Sequence, residues 1–310
     1  MIGQIPHLIA LSSRIRQASD DDSETQILQE FYLEQLQYTI YSAADAVINL
    51  ARTIGEAKNY LPPIGADGEK NVGTVVLPEP IKNQLGFTVD HYFDASRRSL
   101  NAVTIFMSKT LRISVLSSFS KLIKKLNAGK INLPERIFAL VVNYWNSDGR
   151  LIKAYRDLAQ HFAVISSDAR VFMLPDGRMR YHLLLPNNPE EKNPTKLCYE
   201  KPRIDAFPFI LESYGELYEF IFELTHLLLS YTCNEGTETI PVIFKSPLRL
   251  GGKRKVEGHY EPNIDNLNRF LFGKQVEIKK KLDAELPRTG ITPTLIVENR
   301  TKPKTDDGTA

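Results

Sequence analysis

Cysteine is nearly missing from this 310-residue chain, and two residues, Cys198 and Cys233, can build neither a disulfide framework nor a four-cysteine metal site. Both are expected to be small core hydrophobes, the usual setting of a free thiol. Charge of one sign is missing too. Lys and Arg number 39 against 37 Asp and Glu, a formal +2, so any charged partner must be held by a local patch and not by a global field. No run approaches the ~18 apolar residues of a membrane span. The best stretch, 113 to 126, is broken by Ser117, Ser118, Ser120 and Lys121. The opening MIGQIPHLIALSSRIRQ lacks a charged lead, a long apolar centre and a small-residue cleavage site. These absences predict a soluble, cytoplasmic chain with no membrane partner.

Familiar catalytic motifs are also missing: there is no GxxxxGKS/T, no GxGxxG after a strand, no HExxH, no CxxC and no GxSxG. The six histidines include no two within five residues of each other, so a helical zinc pair cannot form. No metal or other cofactor is expected.

What is present is a core-forming chain, 42% apolar, with strong helical patterning. Acid and serine at 20 to 24 favour a helix start. Leu28, Leu36, Ile40, Ala43, Val47, Leu50 and Ile54 then share one face, which predicts a helix from about 24 to 58, stopped by Pro62-Pro63 and a Gly/Asp-rich loop. A second helical stretch, long or kinked, is expected from near Val89-Asp90 to Gly129, since no turn residue interrupts it. Pro134-Glu135 opens a shorter helix. Ser147-Asp148 is expected to cap the next one, GRLIKAYRDLAQHFAVI. Residues 169 to 186 then read as two short strands around Pro175-Asp176-Gly177. A strongly apolar helix follows from about Pro208 to Cys233, as suits the middle of a bundle. The predicted class is mainly α: an up-and-down helical bundle (1 to 233) with an inserted β-hairpin, an irregular α+β C-terminal extension (234 to 298) and a disordered tail (299 to 310).

One segment carries candidate chemistry: Tyr155-Arg156-Asp157-Leu158-Ala159-Gln160-His161-Phe162. Leu151, Tyr155, Leu158 and Phe162 form an apolar stripe, with Arg156 and His161 on its opposite borders, roughly 140° apart. Asp157 and His161 are one turn apart, so the carboxylate is expected to accept a hydrogen bond from the imidazole and orient it.

An arginine, a polar residue and a histidine a few positions beyond, on a late helix of a four-helix bundle, resemble the motif of HEPN domains. Arg156, Asp157 and His161 match it with four intervening residues, and WNSDGRLIKAYRDLAQHF is similar to bacterial HEPN-like proteins. The same spacing recurs at Arg254 and His259, but in a Gly-rich segment where no helix is expected. The resemblance covers about residues 24 to 233, with the hairpin as a departure. It implies a metal-independent endoribonuclease, of toxin or defence type, working as a homodimer and opposed by a neutralising protein partner. The alternative it implies is a noncatalytic binding or scaffold protein. In the catalytic reading His161 moves the proton, Arg156 holds the phosphate and Asp157 orients His161. Lys121, Lys124 and Lys125 are the candidate RNA-steering cations.

Overall fold

The computed structural model describes residues 23–60, 74–114, 116–161, 169–173, 179–199 and 203–232. It is mainly helical. Helix α1 (Ser23–Glu56) runs into a short 3-10 turn, Ala57–Tyr60. After a brief strand β1 (Thr74–Val76) come α2 (Glu79–Thr110), α3 (Phe119–Asn127) and α4 (Glu135–Tyr144). A π-helical turn, Trp145–Gly149, joins α4 to α5 (Arg150–His161). Strands β2 (Ala169–Met173), β3 (Met179–Leu185) and β4 (Ile204–Asp205) lead into α6 (Ala206–Thr232).

Two apolar clusters fill the interior, and the helices thread them in alternating directions. One holds Ala43 to Ile54 of α1, Ile81 to Ala95 of α2, Tyr155 of α5 and Phe207 to Tyr214 of α6. The other holds Leu33 to Ile40 of α1, Leu100 to Met107 of α2, the buried faces of α3 and α4, Ile152, and Leu217 to Leu228 of α6. Thus α1 and α4–α5 run one way and α2 and α6 the other. The apolar face read from the α1 sequence is the face that is buried: Leu36, Ile40, Val47, Leu50 and Ile54 are all inaccessible.

The second predicted helical stretch is corrected at its start and in its middle, while its end at Gly129 stands. It starts earlier, with Pro78 as N-cap and Pro80 in the first turn, where a missing N–H costs nothing. It also divides in two. Arg112 adopts φ 52°, and the N–H groups of Arg112 and Ile113 donate to the carbonyls of Lys109 and Ser108, the two bonds of a Schellman end. Gly129 ends α3 in the same way, at φ 64°, with Gly129 and Lys130 donating to Leu126 and Lys125. The first stop was invisible in the sequence because arginine occupies the left-handed position where glycine is the usual signal.

No helix starts at Ser147-Asp148: Ser147 Oγ donates to the Tyr144 carbonyl, and the helix passes through the π turn unbroken. Gly149 gives the rings room there: a Cβ would lie 3.3 Å from ring atoms of both Tyr144 and Trp145, which would have to shift by a few tenths of an ångström. The two predicted strands pair antiparallel, Val171 opposite Tyr181, while the Pro175-Asp176-Gly177 turn lies outside the described residues, and the pair gains two edges the sequence reading left unassigned. β1 pairs with β2 and β4 with β3, giving the antiparallel order β1-β2-β3-β4. Cys198 is exposed, not core: it sits in a loop whose N–H donates to Asn188 Oδ1. Cys233, the extension, the tail and the second Arg-His spacing lie outside the described residues. No helix among the described residues is long and apolar enough to cross a membrane.

Two substitutions check this account. Arg112→Gly removes a left-handed penalty of ~1–2 kcal/mol, part of which glycine's greater unfolded freedom cancels. A net gain of about 0.5–1 kcal/mol is expected, read as a higher urea midpoint at unchanged m-value. Tyr155, 1% exposed, donates its hydroxyl to the Pro186 carbonyl at 2.8 Å. Tyr155→Phe strands that buried acceptor and is expected to cost about 1–3 kcal/mol in the same measurement.

Candidate functional site

Helix α5 is amphipathic: Ile152, Ala154, Tyr155 and Leu158 are buried, and the remaining positions are polar or at the boundary. Tyr155 stacks on Phe93 of α2 (centroids 4.8 Å apart, 26° between planes) and meets Phe209 of α6 edge-on at 5.3 Å. With Tyr155 held there, the next residue, Arg156, necessarily faces the flank of α2.

That flank carries charge. Asp94 Oδ2 accepts from Arg98, one turn on, at 3.0 Å, and Oδ1 accepts from Gln160 Nε2 at 3.2 Å and lies 3.7 Å from Arg156 Nε. Arg156 Nη1 also reaches Asp157 Oδ1 at 3.4 Å. The guanidinium is therefore held between carboxylates of two helices, with 29% of its side chain exposed. It points to α2.

Asp157 plays a different part from the one expected. Its second oxygen accepts from Lys153, one turn earlier, so the carboxylate braces Lys153 and Arg156 and is not the orienting partner of His161. Burial pulls this carboxyl upward, but the hydrogen bonds and charges of Lys153 and Arg156 outweigh it and hold the group below its ordinary range. His161 is exposed at the last position of α5. The structure thus leaves both Arg156 and His161 accessible on one short helix.

Three contributors on α2 were missed: Asp94, Arg97 and Arg98. A signal existed. Phe93, Arg97, Leu100 and Thr104 recur at helical spacing and are all buried, so Arg97 is an arginine inside an apolar stripe. Burial lowers its pKa, with Asp157 opposing and Arg156 reinforcing that shift. Its Nη2 donates to Ser120 Oγ at 3.0 Å, which brings the start of α3 beside α2. Of the predicted cations, Lys121 lies at that start and donates to Ser117 Oγ, while exposed Lys124 and half-buried Lys125 follow one turn later. A separate open cavity of about 350 Å³ between α1 and α2, lined by Asn49, Asn83, Gln84, Phe87 and His91 among others, includes none of these residues. Among the described residues, no three His, Cys, Asp or Glu side chains are grouped to hold a metal ion.

Asp90, one turn before Asp94, has a buried Oδ1 without a hydrogen-bond partner, and burial pushes its carboxyl up to about 6. The folded state therefore favours the protonated acid. Its ionisation penalty is absent below the unfolded value of 3.8, grows between there and about pH 6, and is complete above. Asp90→Asn is expected to raise stability at pH 7.5 by about 1 kcal/mol, after allowance for partial exposure, and to leave it unchanged near pH 4. Urea melts at the two pH values measure the difference.

Compared with known proteins, the chain matches no family model, no curated protein and no solved structure.

Proposed function

We propose that the chain is a HEPN-like endoribonuclease that cleaves RNA without a metal ion, with Arg156 and His161 as its catalytic residues. The observation that carries this reading is the pairing of accessibility with restraint: Arg156 is pinned by Asp94 and Asp157 yet still meets solvent, and His161 is exposed at the end of the same helix. A phosphate can reach both groups.

The chemistry follows from phosphodiester cleavage. The ribose 2′-oxygen attacks phosphorus as its proton passes to an imidazole, the bond to the 5′-oxygen breaks, and that oxygen leaves with a proton. The products end in a 2′,3′-cyclic phosphate and a 5′-hydroxyl. Such proton transfer typically contributes about 10²–10⁴ in rate. Arg156 binds a non-bridging oxygen through its planar fork and offsets the charge that grows there. Asp94 and Asp157 are positioning residues for that fork. Because Arg156 and His161 diverge around α5, two copies of the chain facing each other across a two-fold axis supply base and acid together. This is a homodimer reading, compatible with toxin or defence use and with a neutralising protein partner.

A second reading, a noncatalytic binding or scaffold protein, draws on the same contacts. An arginine flanked by two carboxylates is also what a helix-bracing ion pair looks like. The readings separate experimentally. On the catalytic one, Arg156→Ala and His161→Ala each abolish RNA degradation in EDTA while shifting Tm by no more than about 2–4 °C, the equivalent of about 1 kcal/mol in a domain of this size. Absence of cleavage by the wild-type chain, with both variants destabilised, supports the scaffold.

A further inference from the structure

Arg97 is the most anomalous charge in the described structure. It is 8% exposed, its Nη1 is buried without a hydrogen-bond partner, and no carboxylate lies within ion-pair distance of it. The carboxylate whose field it feels, Asp157, is already taken by Lys153 and Arg156. A guanidinium cannot shed its proton to escape burial, so a missing counter-charge is left for something else to supply.

The other nitrogen of the fork identifies where that counter-charge sits. Nη2 donates to Ser120 Oγ in the first turn of α3. This helix start carries no acidic residue, although its dipole favours one. It presents hydroxyls and an ammonium instead: Ser117, Ser118, Ser120 and Lys121, with the Ser118 cap making only a long 3.4 Å contact to the Lys121 N–H. Ser117 and Lys121 are exposed and Ser118 and Ser120 are half-buried, so the hydroxyls beside the buried fork border solvent. An arginine fork, serine hydroxyls and an ammonium are thus gathered at one helix N-terminus, a set of donors suited to a tetrahedral oxyanion.

We propose that Arg97 and the first turn of α3 bind a phosphate group, namely a backbone phosphate of an RNA strand next to the one engaged by Arg156. The RNA part of this inference rests on the function proposed above, because Arg97 and Arg156 lie close enough to feel each other's charge. Lys121 and Lys124 then extend the track along α3.

The test uses the full chain and two probes. Inorganic phosphate, against chloride at matched ionic strength, is expected to raise Tm of the wild type and of an Arg52→Gln control, but not of Arg97→Gln, with a reduced rise in Ser120→Ala. In phosphate-free buffer Arg97→Gln is expected to melt no lower than wild type, since it loses an uncompensated buried charge. Equal phosphate stabilisation of wild type and Arg97→Gln, or none in either, overturns the site. The second probe is a single-stranded RNA oligonucleotide titrated at several salt concentrations: Arg97→Gln is expected to flatten the slope of log K against log salt by about 0.7, one phosphate contact on a single strand. Phosphate stabilisation with an unchanged RNA slope overturns the RNA assignment. Both effects without any RNA cleavage leave this site standing and remove the nuclease reading.

Discussion

The stack of Phe93 on Tyr155, closed from the side by Phe209, fixes the rotation of α5 about its axis, and the polar chemistry of the region follows from that rotation. Rings at these separations contribute about 0.5–1.5 kcal/mol beyond the area they bury. Tyr155 adds a hydrogen bond to the Pro186 carbonyl, which ties the end of β3 to the same point. Once this ring is seated, helical geometry turns Arg156 to Asp94 and Asp157 to Lys153, and sends His161 to the exposed end.

The π turn between α4 and α5 belongs to the same arrangement. An inserted residue widens one turn and rotates everything after it, so α4 and α5 bury different faces without a break in the backbone. Gly149 permits it by leaving room for the rings of Tyr144 and Trp145. Tyr144 in turn stacks on Phe220 of α6 at 4.1 Å, which links the turn to the second apolar cluster. Helix phase, not loop chemistry, thus sets what α5 presents.

Much of the helical framework was legible because apolar spacing reports a buried face directly. The stripe of α1 and the apolar sequence of α6 map onto the two clusters, and alternation around Pro-Asp-Gly located the hairpin. Misses came where a residue's usual signal was absent or its partner remote. Arg112 ends α2 in a conformation glycine would have advertised, and the three-residue β1 is too short for a period to show. Cys198 was placed inside by the habits of its residue type, whereas a loop with side-chain-capped backbone groups holds it outside.

By itself the sequence determined that Arg156, Asp157 and His161 share one amphipathic helix, because the helical period is a local property of the chain. It also determined that no single face of that helix holds both the arginine and the histidine. The Lys153–Asp157 pair, one turn apart on α5, was equally local. Only the tertiary structure decided that Asp94 lies against Arg156 and that Arg97 stands buried beside the start of α3. Those outcomes depend on which side of α2 meets α5 and α3. That choice is made by aromatic packing between residues far apart in the chain, and no local pattern encodes it.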